Sequence, residues 1–319
     1  MLDLLDRVGR GRLAGIATAL AVVVLLVARG EKAALVIGVI TGLGYSLVAL
    51  GLVLVYKSSG VFNFAQAEFG TVAVFVLYLA RLNDVPYLFA AALSIAVALA
   101  MGWTVERVVV RPLFDAPRVT LLVATAGVAL LSIGVTFWLN DAQGRTVDPA
   151  VEGNGFTLFD IVISKQRVLI VLVVAAISIV LALFFNRTTL GLAVLAASQE
   201  PTATNLVGIS VRRLSSLVWV LAALLGALAG ILTGPFEPFG PGAVTQKFLI
   251  PGFTAAVIGG MGSLPGAVLG GVIVGVGQSV GASGSLLPDS VPGGGSVVTF
   301  ALLALILAIR PQGLLGKGR

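Results

Sequence analysis

The 319-residue sequence contains no cysteine and no histidine. Without cysteine there is no disulfide, no thiolate nucleophile and no thiolate metal site. Without histidine the commonest general base and the commonest transition-metal ligand are missing, and a Ser-His-Asp triad is excluded. Charge is scarce as well. Only 11% of residues are Asp, Glu, Lys or Arg, against about 25% in soluble domains. That much charge cannot cover a soluble globule of this size. No G-x-x-x-x-G-K-[ST] run occurs, so the chain has no P-loop of its own for ATP.

What is present is apolar and rich in glycine. Hydrophobic residues make up 58% of the chain, and 40 residues are Gly, close to double the usual share of about 7%. Abundant glycine in apolar surroundings marks close helix packing in lipid. A soluble enzyme, a disordered chain and a disulfide scaffold are therefore ruled out. The excess of 20 Lys and Arg over 14 Asp and Glu is read as a topology signal rather than as nucleic-acid binding.

A membrane-spanning helix needs about 20 apolar residues. Ten hydrophobic elements are expected, at 13–28, 33–55, 61–80, 86–105, 119–139, 168–185, 214–233, 248–260, 265–281 and 296–309. The expected fold is an all-α polytopic membrane protein, a single transmembrane domain over 1–319 with no linker. The Gly-rich pair at 248–281 is either two short spans or a re-entrant hairpin, giving ten spans or eight. Both choices put the two chain ends on the same side. With that side cytoplasmic, thirteen of the Lys and Arg residues fall inside and seven outside, as the positive-inside rule favours. The first apolar stretch follows basic residues but lacks an A-x-A-like site, so it is read as a retained anchor. The longest outside stretch, 140–167, is expected to be a loop. The longest inside stretch is 186–213.

Three features carry candidate function. The first is the run Asn63, Gln66 and Glu68 at the expected start of the third element. Asn63 and Gln66 share a helix face, and Glu68 is rotated away by about 200°. A carboxylate in a span costs about 2.5–3.5 kcal/mol on insertion scales, so Glu68 should face protein or water. These residues either hydrogen-bond between helices or contact a solute in the passage. Thr254 is a further candidate for that passage.

The second feature is the 186–213 loop. Its 190–198 stretch favours helix, and Glu200-Pro201 breaks it, because proline disfavours helical geometry in the residue before it. Pro201 fits the start of a second short helix and Gly208 its stop. Two short helices of small and apolar residues suit docking into a partner's groove rather than mere connection. Gly191, Ala193, Ala196, Ala197, Glu200, Pro201 and Gly208 are the candidate contacts. The third feature is the density of small-xxx-small spacings around Gly259, Gly260, Gly262, Gly266 and Gly270. Close helix packing is favoured there over a direct place in the passage.

Five stretches occur in the order of a known family. They are Gly60-Val61-Phe62-Asn63-Phe64-Ala65-Gln66-Ala67-Glu68, Glu106 with Arg111-Pro112-Leu113, the 191–209 loop, the 257–267 glycine run and the tail Arg310-Pro311-Gln312-Gly313-Leu314-Leu315-Gly316. From about residue 33 onward the chain resembles the permeases of bacterial ABC importers for branched-chain amino acids, whose wider relatives import sugars and urea. The Asn63–Glu68 run resembles the smaller, H-type subunit. Two positions depart: Ala67 where the family usually has Gly, and Leu195 where the loop usually has Arg, so one charged contact to the ATPase that the resemblance implies is in question.

The resemblance implies a transport subunit in the bacterial cytoplasmic membrane with no cofactor or metal of its own. It further implies a homologous second permease, two cytoplasmic ATPases that bind ATP and Mg, and an extracytoplasmic solute-binding protein. A secondary transporter or channel using Glu68 for ion coupling is the alternative.

Overall fold

The computed structural model describes residues 32–114, 116–140, 143–284 and 291–316. The expected 13–28 anchor lies outside these residues. The chain begins with α1 (Lys32–Ser59), α2 (Glu68–Leu82) and α3 (Tyr87–Thr104). A π turn (Val105–Val110) and a 3-10 turn (Arg111–Leu113) prolong α3. Then come α4 (Arg118–Asn140), a hairpin of β1 (Asn154–Leu158) and β2 (Ile161–Ser164), and α5 (Lys165–Arg187). Two short helices follow, α6 (Thr189–Gln199) and α7 (Pro201–Leu206). The last helices are α8 (Val211–Thr233), α9 (Ile250–Gly259), α10 (Leu264–Ala282) and α11 (Gly294–Ile309).

Among the described residues six helical stretches are long and apolar enough to cross a membrane: α1, α3 with its extension, α4, α5, α8 with its 3-10 end, and α10. Helices α2, α9 and α11 match three further expected elements but have 15, 10 and 16 residues. A π turn (Thr245–Leu249) runs without a break into α9; at about 1.5 Å per residue the two together still fall short of a hydrocarbon core of about 30 Å. The Gly-rich pair is thus one helix long enough to cross a membrane, α10, and one shorter helix, α9.

Helices α1 and α8 form the centre of the bundle. Their apolar windows are 72% and 67% buried, against 28%, 28% and 22% for α3, α4 and α5. Lipid has no hydrophobic preference for helix over tail, so packing must come from close backbone approach. Helix α10 lies directly on α1: a Cβ at Gly38 would stand 2.7 Å from the Val276 Cα, and one at Gly42 would stand 2.8 Å from the Val272 Cα. Helix α2 meets α8 in the same way, through Gly70 and the Gly226 carbonyl.

The described residues are mostly helical, as expected, and a hairpin stands within the stretch expected to be a loop. Strands β1 and β2 are antiparallel, with Leu158 opposite Ile161, and Phe159 and Asp160 form the two-residue turn at φ 52° and 65°. Both central residues have positive φ, as a type I′ turn requires. The usual Asn-Gly signal is missing, and this is why the stretch reads as loop. Short polar side chains close the helix starts instead. Ser164, Thr188, Ser210 and Ser263 each accept a backbone amide three residues on. Removing such a cap costs about 1 kcal/mol.

Candidate transport site and docking face

The third expected element starts later than its hydrophobicity suggests. Residues 60–63 are irregular and 64–67 form a turn, and helix begins only at Glu68. The cause is local. The Asn63 Oδ1 accepts from the Ala65 amide at 3.0 Å, a side-chain turn that competes with helix. Asn63 and Gln66 therefore do not share a helix face, yet they meet: the Asn63 amide lies 3.4 Å from the Gln66 Oε1. The Gln66 Nε2 donates to the Ala222 carbonyl of α8 at 2.8 Å. Gly51 of α1 leaves the room that Gln66 fills. Thr125 of α4 accepts from the Phe64 amide at 3.2 Å, and Phe62 packs between Tyr56 and Phe253. The segment is a polar knot joining α1, α4, α8 and α9.

Gln66 is fully buried, so its loss would remove the tie to α8, whose Ala222 carbonyl keeps only its place in the helix ladder, and leave a void. Gln66→Ala is expected to cost about 1–3 kcal/mol, read as a lower melting temperature of the detergent-solubilised protein. An unchanged melting temperature would contradict the bond.

Glu68 sits in the first turn of α2 and is also fully buried. A carboxylate there is favoured by the unpaired amides of the helix start. The Thr71 hydroxyl donates to its Oε1 at 3.5 Å, while its Oε2 has no partner. No ion pair to Glu68 occurs among the described residues. Thr254 lies on α9, fully buried and with an unpartnered hydroxyl.

The large cavity lies elsewhere, at the hairpin end of the bundle. Its volume is about 1070 Å³, and Tyr45, Arg167, Glu237, Lys247 and Gln278 border it together with apolar residues of α1, α10 and α11. The Tyr45 hydroxyl bonds Gln278, and Lys247 pairs with Glu237. None of Asn63, Gln66, Glu68 and Thr254 borders this cavity. Sequence reading missed it because the residues come from five separated stretches. Among the described residues no group of three or more His, Cys, Asp and Glu could hold a metal.

At the opposite end, α6 and α7 form the 186–213 loop. Pro201 opens α7, and Gly208 follows it at φ 84°. Glu200 precedes α7 without a side-chain cap bond. The two helices present their faces differently from expectation. Gly191, Val194 and Ala197 are buried against this chain's own α1, α5 and α8. A Cβ at Gly191 would lie 2.8 Å from the Phe185 Cα. Gly191 and Ala197 are thus internal packing positions, and Ala193 is half-buried. The outward face is Leu192, Ala196, Glu200, Ala203, Leu206 and Val207, with Leu206 83% exposed.

The glycine run also divides. A Cβ at Gly259 would collide with the Gly266 carbonyl, one at Gly266 with the Gly259 carbonyl, and one at Gly270 with the Ala255 carbonyl. These three hold α9 and α10 together. Gly260 has φ 98° and lies against the chain's own tail, 2.6 Å from the Gly316 nitrogen to a built Cβ. That tail caps α9: the Leu314 and Leu315 amides donate to the Ile258 and Gly259 carbonyls at 2.7 and 3.1 Å. Gly262 has nothing within 4 Å of a Cβ and is not a packing position in this chain.

One charged cluster was visible only as a motif. Glu106, in the π turn, is fully buried. The Arg111 Nε and Nη2 donate to its two oxygens at 3.2 and 3.1 Å. The Ser216 hydroxyl of α8 donates to the Glu106 Oε2 at 2.6 Å. Arg111 Nη2 also donates to Ser216 Oγ at 2.6 Å and to the Arg212 carbonyl at 3.3 Å.

A bundle of long apolar helices, packed through glycine, with a large cavity at one end and paired short helices at the other, is a multi-pass membrane permease. Residues 34–307 match the family described as the permease component of branched-chain amino acid transport systems, and the chain belongs to that family. It is 34% identical over 301 residues to the high-affinity branched-chain amino acid transport system permease protein BraD of Pseudomonas aeruginosa, covering 89% of this chain and 95% of that one. It is 30% identical over 294 residues to LivH of Escherichia coli, covering 88% and 94%. A xylose/arabinose import permease of Sulfolobus acidocaldarius, XylH, is 36% identical over 101 residues, 30% of this chain and 28% of that one.

Proposed function

We propose that this chain forms part of the passage of an ABC importer for branched-chain amino acids in a bacterial cytoplasmic membrane. It pairs with a homologous permease, takes solute from an extracytoplasmic binding protein, and is driven by two ATPase subunits that bind ATP and Mg. The substrate class rests on the names of relatives aligned over nearly their whole length. The observation that carries the mechanism is the exposed apolar face of Leu192, Leu206 and Val207 at the end of the bundle that carries Arg111, Arg187, Arg212 and Arg213. In water such a face is a liability; in an ATPase groove it excludes water and transmits motion.

The basic end then faces the cytoplasm, and the cavity bordered by Tyr45, Arg167 and Lys247 faces the binding protein. A reporter fused at the C-terminus is expected to read cytoplasmic, and one in the hairpin loop extracytoplasmic. A reversed pair of signals would place α6 and α7 beyond reach of any ATPase. Purification of the tagged chain from its native membrane tests the assembly. Co-purified ATPases and leucine uptake dependent on ATP support the reading, and leucine uptake by the chain alone sinks it.

The unpartnered oxygen of Glu68 favours a second reading, a carrier coupled to an ion gradient. Glu68→Gln keeps the size and hydrogen-bonding capacity of the side chain. Under the importer reading, uptake in vesicles follows ATP and not the proton gradient in both parent and variant. A proton-gradient dependence that disappears in Glu68→Gln would favour the carrier.

A further inference from the structure

We infer that Glu106, Arg111 and Ser216 form a clasp that positions the α8 start on the α3 end, and through it delivers movement of the α6–α7 loop to the spans. The inference rests on the importer reading. The cluster joins two helices far apart in sequence through charged hydrogen bonds. Glu106 is fully buried, and a buried carboxylate is tolerated only when paired and hydrogen-bonded. The Arg111 fork meets both of its oxygens, and the Ser216 hydroxyl meets one.

The position of the clasp gives it a role beyond stability. Arg111 grips the Arg212 carbonyl in the first turn of α8, four residues after Gly208. Helix α7 is tied to the same turn, because the Asn205 Oδ1 accepts from the Val211 amide at 3.3 Å. One turn deeper α3 and α8 touch: a Cβ at Gly102 would stand 3.0 Å from the Trp219 carbonyl. With the clasp closed, α3 and α8 must shift together when α7 is displaced. With it open, the first turn of α8 can give way and absorb the displacement. The π turn that carries Glu106 is the kind of helix irregularity found at working sites.

Arg111→Lys keeps the charge but loses the two-pronged fit, and Ser216→Ala removes one hydroxyl without disturbing the ion pair. Both are small enough to leave an assembled complex. The measurement is ATP hydrolysed per leucine imported by reconstituted complexes, normalised to complex amount, with and without loaded binding protein. Coupling between sites commonly changes affinities by about 5- to 150-fold, and Arg111→Lys is expected to hydrolyse more ATP per leucine imported than the parent, by a few fold. Ser216→Ala is expected to move the ratio in the same direction by less. Arg111→Lys complexes with the parent's ratio would overturn the inference, whether or not their amount falls. If the parent itself shows no hydrolysis stimulated by loaded binding protein, the importer reading fails before the clasp is tested.

Discussion

Replacing Gly259 with leucine is expected to remove most of the assembled permease from the membrane, while replacing Gly262 with alanine leaves its amount unchanged. Both glycines belong to the same run, and composition does not separate them. Their surroundings do. A side chain at Gly259 points into the Gly266 carbonyl and the backbone of α10. A backbone oxygen inside a helix cannot swing aside as a flexible side chain does, so the two helices must separate. Overpacking costs about 1–3 kcal/mol where neighbours can adjust, and more where they cannot. Separation would also strip the α9 end from the tail residues Leu314 and Leu315 that satisfy its last carbonyls. Against a typical stability of about 5–15 kcal/mol, such a loss is large. At Gly262 a Cβ meets nothing of this chain. The measurement is the quantity of permease surviving detergent extraction and size-exclusion chromatography. Gly259→Leu at the parent's yield would show that α9 and α10 do not cross as closely as described. A collapse with Gly262→Ala would mean that another chain fills the space beside it.

Nine of the ten expected hydrophobic elements correspond to helices among the described residues, because hydrophobic length is written directly into composition. Boundaries were less legible where a polar side chain intervenes. The Asn63 turn delays α2 to Glu68. The hydroxyls of Ser58 and Ser59 bond the Val55 carbonyl, each at 2.9 Å, within an α1 that runs past the apolar stretch. The two short loop helices and the stops at Pro201 and Gly208 were readable, since proline and glycine constrain the backbone locally. Which faces those helices turn outward was not. Gly191 and Ala197 look like a partner's contacts by size alone, and only the packing of Gly191 against Phe184 and Phe185 and the burial of Ala197 show that they face inward. The same holds for Gln66. Its amide says that a hydrogen bond exists, but the acceptor, the Ala222 carbonyl, is 156 residues away. The cavity at the hairpin end could not be read at all, because it is a property of five segments brought together.

The double substitution Leu206→Asp with Val207→Asp is expected to abolish ATP-driven uptake without disturbing the permease. Leu206 and Val207 are 83% and 73% exposed, so neither contributes packing to the isolated chain, and polar replacements there cost the fold little. In a partner's groove the balance reverses. Burying a leucine or valine side chain contributes about 1.5–3 kcal/mol each, and an aspartate in its place leaves a charge desolvated and unpaired. Loss of even 3 kcal/mol weakens association by more than about a hundredfold. Ala197→Arg is the informative contrast. Ala197 is 5% exposed and packed inside the chain, so an arginine there is expected to lower the amount of folded permease and, only as a consequence, uptake. The two outcomes are separated by measuring three quantities on the same membranes: extracted permease, ATPase retained on the tagged permease, and leucine uptake. The outward-face variant should keep the first and lose the other two. Ala197→Arg should lose all three in proportion. A Leu206→Asp/Val207→Asp permease that retains its ATPase and imports leucine at the parent's rate would remove α7 from the coupling path and leave the exposed apolar residues of the loop without a partner.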